Sequence, residues 1–143
     1  MTAVYRAPMR SRRDDVDVAE THDRAFTHGL CGFGDAAEDP RFDRRVARFA
    51  DVADGSHVWT RDVDGLYRLG RIDGPYRYDS SAAAVAVDLV HVRPCTWLPT
   101  PLTEADVPAA VIATFARGGR NFQRTHDEAA ELHSERMWSA RSV

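Results

Sequence analysis

The side chains best suited to chemistry in this sequence are aromatic rings and arginines concentrated between residues 55 and 79. Arginine is the basic residue that makes planar, paired hydrogen bonds to phosphates and base edges. The aromatic members of the group are Trp59, Tyr67, Tyr76 and Tyr78, and the arginines are Arg61, Arg68, Arg71 and Arg77. This concentration predicts a functional surface. The alternative is a solvated face whose arginines pair with the aspartates of the same stretch.

A second group of basic side chains flanks a pair of glycines near residue 118. Its members are Arg117, Arg120 and Arg124. All 19 basic residues of the chain are arginine, yet the net charge is −3, so overall charge does not by itself indicate a nucleic-acid-binding protein. We predict that this arginine cluster lies along a nucleic-acid backbone, and a solvated loop is the alternative.

The sequence gives little support for metal or enzyme chemistry. No pair of the six histidines has the His-Glu-x-x-His spacing, and no phosphate-binding loop or Gly-x-Ser-x-Gly motif is present. His126 and His133 are seven residues apart, but two ligands make a poor zinc site. Cys31 and Cys95 are predicted to be reduced and buried. We therefore predict no metal, no cofactor and no enzymatic activity.

Tight turns divide the aromatic stretch into strands. Asp64-Gly65 and Asp73-Gly74-Pro75 are turn sequences, so residues 55–79 are predicted to form a three-stranded β-meander. Alternation along its first strand puts Val58 and Trp59 on opposite faces. The remaining predicted elements are a first strand over 4–7, a helix over 16–28, a strand over 30–34, a helix that begins at Asp39-Pro40, a central strand over 82–93 and a helix over 125–139 with Thr125 as N-cap. Segment 109–115 fits a strand or a helix.

The order of these elements predicts the fold class. A chain of 143 residues suits one domain. Five to six strands with two to three helices, in the order βαβα and then a meander, predict a small α+β barrel. No signal-peptide pattern and no membrane span is found, so a cytoplasmic protein is predicted.

The order and spacing of several short motifs resemble the PUA-like superfamily, in particular its EVE-like and YTH-like members. The motifs are Leu30-Cys31-Gly32-Phe33-Gly34, the stretch 55–62, the stretch 65–72 and Gly74-Pro75-Tyr76-Arg77-Tyr78. The resemblance covers residues 1–125, and residues 126–143 are expected to form a C-terminal helix packed on that domain or extending from it. Many relatives carry Trp after the Gly-x-Gly strand, where this chain has Asp35.

This resemblance implies a non-catalytic module that recognises a modified or flipped nucleobase in an aromatic pocket. Stacking on aromatic side chains is worth about 1–3 kcal/mol per base, which offsets the cost of extruding the base. On this basis the expected pocket residues are Phe33, Trp59, Tyr76, Tyr78 and Trp97. Contacts to the backbone or a base edge are expected from Arg61, Arg77 and Arg93, beside Arg117, Arg120 and Arg124.

The expected partner is nucleic acid, with modified DNA favoured over RNA, because some such readers accompany bacterial modification-dependent restriction systems. A partner nuclease or another effector protein is a further possibility, and no membrane partner is expected. The alternative on the same fold is a nucleotide-like small-molecule binding protein or an ASCH-like hydrolase.

Overall fold

The protein is an α+β fold in which a curled sheet is flanked by helices, as the sequence predicts. The computed structural model describes residues 2–36 and 38–142. Outside the described residues lie Met1 and Ala37 of the predicted domain and Val143 of the predicted C-terminal segment. The strands in the described ranges are β1 (Val4–Arg6), β2 (Leu30–Phe33), β3 (His57–Arg61), β4 (Tyr67–Ile72), β5 (Arg77–Tyr78), β6 (His91–Trp97) and β7 (Gln123–Arg124). The α-helices there are α1 (Val18–His28), α2 (Phe42–Ala50), α3 (Ala82–Ala86), α4 (Ala109–Ala116) and α5 (Glu128–Arg141), and a 3₁₀ helix spans Glu104–Asp106.

The strands of the sheet follow the order β2-β6-β4-β3-β1-β7, and β5 pairs with β6. β1 and β3 run parallel, whereas the other named pairs are antiparallel. β6 changes its neighbour along its length, since His91 and Val92 pair with β5 and the segment 95–97 pairs with β4. Pro94, which has no N–H to donate, stands at this change-over. The exchange of partners curls the sheet.

Both faces of the central strand β3 are buried, which follows from its alternating side chains. Val58 belongs to a core that the sheet forms with α1 and α2, and it shares this core with Phe49. Trp59 points the other way, into a second core with α4 and α5 that includes Val111 and Met137. The C-terminal helix α5 therefore packs on the sheet.

Local sequence signals account for the ends of the first helices. The Asp17 carboxylate accepts a hydrogen bond from the Ala19 N–H at the start of α1, and Gly29 ends that helix with φ of 64°. α2 begins at Phe42, slightly after the predicted Asp39-Pro40 start. Asp39 instead stabilises the turn before the helix, where its carboxylate accepts from the Arg41 N–H at 2.9 Å.

Two sequence-based assignments need correction, and one open assignment is resolved. The predicted continuous strand over 82–93 is wrong in its first half, because Ser81 caps the alanine-rich helix α3 by accepting from the Ala84 N–H, and β6 begins only at His91. The ambiguous segment 109–115 is the helix α4. The N-cap of α5 is Asp127 rather than Thr125, whose N–H pairs with the Val4 carbonyl next to β7.

The glycines of β2 permit a close approach of backbone and side chains, as predicted from their position in a buried strand. A Cβ atom on Gly32 would lie 1.8 Å from the His91 carbonyl oxygen, and one on Gly34 would lie 2.1 Å from the Asp88 carboxylate. Only glycine fits at position 32, where the neighbour is backbone, whereas a side chain at position 34 would have to displace the Asp88 carboxylate. The end of β2 is thereby pressed against β6 and Asp88.

No helix in the described part of the chain is both long and apolar enough to pass through a bilayer.

Candidate functional site

The main concave feature of the described residues is a cavity of about 920 Å³. Ligand sites typically enclose about 300–1,000 Å³, so the space suits a nucleoside-sized group with part of its backbone. Helix α2 forms one wall, the loop that follows β2 forms a second, and residues 120–126 close the opposite side. The cavity thus lies beside the core of α1 and α2, away from Trp59.

A continuous row of aromatic rings runs along the cavity. Its lining members are Tyr5, Phe33, Phe42, Phe49 and Phe122. Tyr5 and Phe122 stack with centroids 5.0 Å apart and planes inclined by 15°. Phe49 is 4.9 Å from Phe122 on one side and 4.9 Å from Phe33 on the other. Such edge and offset contacts fix the rings relative to one another, so the wall is preorganised.

Charged side chains surround this aromatic row. The arginines lining the cavity are Arg10, Arg12, Arg45, Arg48, Arg120 and Arg124, and the aspartates are Asp35, Asp51, Asp54 and Asp88. Six arginines and four aspartates leave a formal excess of two positive charges. The Arg45 guanidinium is partly neutralised by Asp39 at 2.9 Å, and Arg12 donates to the Asn121 side chain at 3.1 Å. The rim therefore favours an anionic ligand even though the whole chain is acidic.

A hydrogen-bonded relay stands behind the Asp35 side of the cavity. His91 Nε2 lies 3.3 Å from Asp35 Oδ1, and His91 Nδ1 lies 2.7 Å from the Tyr76 hydroxyl. The Tyr76 and His91 rings are nearly parallel, with planes inclined by 9°. Burial, followed by the nearby Asp35 carboxylate, raises the pKa of Tyr76. Tyr76 consequently keeps its proton and acts as a hydroxyl.

Two buried arginines hold the cavity walls from behind. Arg93, which is 3% exposed, donates to the carbonyls of Phe49 and Val52 at 2.8 Å each and to that of Gly74 at 2.7 Å. It also pairs with Asp54 at 2.8 Å. These bonds satisfy carbonyls that the end of α2 leaves free.

Arg6 holds the cavity wall formed by the loop before β7 in the same way. Its guanidinium donates to the carbonyls of Thr114, Gly118 and Asn121 at 2.8–3.3 Å. Burial, with a smaller contribution from the charge of Arg117, lowers the pKa of Arg6. The loop that carries Arg120 and Phe122 is thus held to β1.

Some of the sequence-predicted site residues meet at the cavity. Those that line it are Phe33, Arg120 and Arg124. Arg117 lines a neighbouring shallower pocket that it shares with Arg124. Tyr76 stands one layer behind the cavity, through its bond to His91.

Other predicted site residues lie elsewhere. Trp59 is fully buried and its Nε1–H donates to Ser134 at 2.9 Å. Trp97 donates to the Leu30 carbonyl and packs edge-on against Phe26. The rest are solvent-exposed outside the lining, namely Arg61, Arg77 and Tyr78, while Arg93 is buried beneath α2.

Sequence reasoning missed Phe42, Phe49 and Phe122 as site residues. Phe42 and Phe49 are seven residues apart, a spacing that indicates the apolar face of a helix, and both are buried on α2. This face of α2 both packs on the core and lines the cavity, and a periodic sequence pattern does not distinguish these two roles. Phe122 lies next to the arginine cluster, and this proximity was the available signal.

Comparison with known proteins supports the fold. No protein-family model matches the chain, and no curated protein matches it. The YTH domain of the Zygosaccharomyces rouxii MRB1 protein, solved in complex with N6-methyladenosine RNA, aligns with a TM-score of 0.53 and 9% identity over 99% of this chain and 88% of that chain. Protein Atu2648 from Agrobacterium tumefaciens aligns with a TM-score of 0.45 and 13% identity over 95% of this chain and 92% of that one. The alignment with the YTH domain shows that the chain shares the fold of that domain.

Proposed function

We propose that this chain is a non-catalytic, EVE-like or YTH-like module that takes a modified or flipped nucleobase into the cavity of about 920 Å³. The observation that carries the proposal is the combination, in one cavity, of a preorganised aromatic row and a rim of arginines. The two features match the two parts of a nucleotide. Aromatic faces stack on the base, and guanidinium groups bind the phosphates.

The aromatic row supplies the energy for holding a base out of its stack. Unstacking costs a few kcal/mol, and base–aromatic stacking recovers about 1–3 kcal/mol per base. Phe33 and Phe122 are half-buried, so they keep ring surface that a ligand can cover. Phe49 is 1% exposed and supports both rings from behind. A methyl group on the base adds apolar surface that such a wall accommodates.

The rim supplies backbone contacts. Arg120 and Arg124 line the cavity and are exposed, so they are accessible to phosphates, although the Arg124 guanidinium also lies 3.8 Å from the Glu131 carboxylate. Contacts of this kind position the strand, whereas the enclosed base determines specificity. Arg117 extends this basic edge toward the neighbouring pocket.

The kind of nucleic acid is part of the proposal. Restriction-associated relatives favour modified DNA, with a nuclease or another effector as the protein partner. The YTH domain that shares the fold was solved with methylated RNA. RNA and DNA therefore enter the test on equal terms.

The test is a fluorescence-anisotropy panel at one fixed, moderate salt concentration, because backbone affinity depends steeply on salt. Matched DNA and RNA oligonucleotides, single- and double-stranded, carry one central A or C that is unmodified, methylated or hydroxymethylated. A preference of about fourfold for a methylated base is expected, because burial of one added methyl group is worth about 0.8 kcal/mol. Absence of binding to every oligonucleotide would exclude the reader function.

A second candidate function is binding or hydrolysis of a free nucleotide-like molecule in the same cavity. The Tyr76–His91–Asp35 relay favours it, because an ordered histidine beside a carboxylate is the arrangement that general acid–base catalysis requires. Free mononucleotides added as competitors in the same panel, with product analysis after incubation, distinguish the candidates. Binding of mononucleotides without binding of oligonucleotides would support this second function.

A further inference from the structure

We propose that Asp35 is a specificity-determining residue, which accepts a hydrogen bond from the exocyclic amino group of the base bound in the cavity, and that His91 and Tyr76 are positioning residues that hold its carboxylate. The inference rests on the proposed function, since it names which bases the same cavity selects. It goes beyond that function by assigning selectivity to an acidic side chain in an otherwise basic rim.

For a neutral His91, hydrogen-bond chemistry determines the direction of each bond in the relay. An ionised carboxylate only accepts hydrogen bonds, so the hydrogen between His91 and Asp35 belongs to His91 Nε2. A neutral imidazole then has Nδ1 as an acceptor, which receives the proton of the Tyr76 hydroxyl at 2.7 Å. The bond from Tyr76 therefore favours the tautomer of His91 that carries its hydrogen on Nε2, the atom that donates to Asp35.

The histidine in the middle of the relay is held by rings on several sides. Phe33 lies 5.6 Å from His91, Phe42 lies 5.1 Å from it, and the Tyr76 ring is stacked at 6.0 Å. His91 is 7% exposed and its strand pairs with β2 and β5. A ring packed in this way keeps one orientation, so Nε2 is a fixed donor.

The carboxylate of Asp35 is positioned from its backbone as well. The Asp35 N–H donates to Asp88 Oδ1 at 3.1 Å, and Asp88 is buried against Gly34. The Asp35 side chain is nevertheless half exposed, at 51%, and lines the cavity. Its two oxygens together accept up to about four hydrogen bonds, so the bond from His91 leaves capacity for a ligand.

The bases differ in what they can offer to a fixed carboxylate. Adenine and cytosine carry an exocyclic amino group, which donates, whereas uracil and thymine carry a carbonyl oxygen at the corresponding position, which is repelled. Phe33 and Asp35 are separated by one residue and line the same cavity. A base stacked on this part of the wall therefore presents its edge to the carboxylate. One methyl group on the amine leaves one N–H for Asp35, and two methyl groups leave none.

The test uses one single-stranded sequence with a single variable central base. The five versions carry adenine, N6-methyladenine, N6,N6-dimethyladenine, cytosine or uracil, and affinities are measured by anisotropy at one salt concentration. The wild-type protein should bind the three amino-bearing bases that keep an N–H about tenfold more tightly than dimethyladenine and uracil. Asp35→Asn should reduce this ratio to about one, because the amide turns its oxygen to His91 and its NH₂ to the ligand.

Tyr76→Phe separates positioning from packing, because it removes the hydroxyl and keeps the ring. It should lower the ratio between methyladenine and dimethyladenine severalfold while binding of dimethyladenine stays unchanged, a pattern that a general loss of structure would not produce. Asp64→Asn is the matched control, since it removes the same charge in the exposed turn between β3 and β4. It should leave the ratio unchanged.

The outcomes separate the two proposals. If no oligonucleotide binds the wild-type protein, the reader function fails and the inference falls with it. If oligonucleotides bind but dimethyladenine and uracil bind as well as the others, or if Asp35→Asn keeps the wild-type ratio, the reader function stands and the role of Asp35 is overturned.

Discussion

The guanidinium group of Arg93 donates a 2.8 Å hydrogen bond to the main-chain carbonyl of Phe49, so a β-strand arginine closes the end of the helix that walls the cavity. The same group reaches Val52 and Asp54, and all three partners line the cavity. A basic residue expected from the sequence to touch nucleic acid thus lies behind the wall. It stabilises the conformation of α2.

The first prediction concerns Arg93→Lys. Lysine keeps the charge but loses the planar fork that serves several carbonyls at once, so the carbonyls of Val52 and Gly74 are no longer both satisfied, whereas the Phe49 carbonyl still accepts from the Val52 N–H at 3.3 Å. We expect the free energy of unfolding to fall by about 1–3 kcal/mol, the cost of leaving a buried hydrogen-bonding group unsatisfied. Urea denaturation measures it. Arg77→Lys, at an exposed site on β5, is the matched control and should leave the midpoint unchanged.

The second prediction concerns the bond between Trp59 and Ser134, both fully buried. Ser134→Ala leaves the indole N–H unsatisfied, which should cost about 1–3 kcal/mol of unfolding free energy. Because Trp59 does not line the cavity, the base preference of the folded variant should be unchanged. An altered preference in the anisotropy panel, with normal stability, would return Trp59 to the binding site.

Trp59 also shows where sequence reasoning reached its limit. The strand, its alternation and the turn at Asp64-Gly65 were predictable from residue types and spacing, and the structure confirms the strand. The pattern does not show that helix α5, about 70 residues later in the chain, covers the Trp59 face. Alternation shows which side chains share a face of the strand, but it does not show which other element of the fold covers that face.

The cavity shows the same limit of sequence-based prediction. Phe33 was predictable from its place between glycines, whereas Phe122 reaches the cavity only because Arg6 ties its loop to β1. Contacts over more than 100 positions, such as Arg6 with Asn121, leave no local signature. The arginines near residue 118 were recognisable as a cluster, but the aromatic row beside them depends on tertiary structure.

The third prediction tests this aromatic row. Phe122→Ala removes a half-buried ring that stacks on Tyr5, and we expect oligonucleotide affinity to fall by about 5- to 150-fold, the equivalent of one lost base–aromatic stack. Anisotropy measures the loss. Val63→Ala removes an apolar side chain that is 57% exposed at the hairpin between β3 and β4 and outside the lining, and it should have little effect. Equal losses in the two variants would contradict the assignment of the cavity.

The fourth prediction concerns pH. Burial lowers the pKa of His57, with the nearby Glu135 carboxylate acting in the opposite direction and Arg71 adding to the decrease. In the unfolded chain His57 therefore takes up a proton at about pH 6.5, whereas in the folded protein it takes up a proton only at a lower pH. Stability is complete above this pH and declines as the pH falls below it, by up to about 1.4 kcal/mol per pH unit for one histidine.

The variant His57→Phe isolates this effect, because it keeps a ring against Trp138 and removes the titrating group. Urea denaturation between pH 7 and pH 5 should show a shallower decline for the variant than for the wild type. Buried His22, whose pKa is also lowered mainly by burial, remains in both proteins and accounts for a residual slope. Identical slopes would mean that protonation of His57 does not contribute.

The fifth prediction separates positioning contacts from recognition. Arg120 is exposed on the cavity rim. In the proposed complex its guanidinium binds a phosphate of the nucleic-acid backbone rather than the base. Arg120→Ala should weaken binding of modified and unmodified oligonucleotides by the same factor, and the slope of log K against log salt should become shallower by about one. Arg61→Ala is the matched control, because that arginine lies over Tyr67 at the hairpin and outside the lining. A loss confined to the modified oligonucleotide would place Arg120 on the base edge instead, because a phosphate contact carries no information about the base.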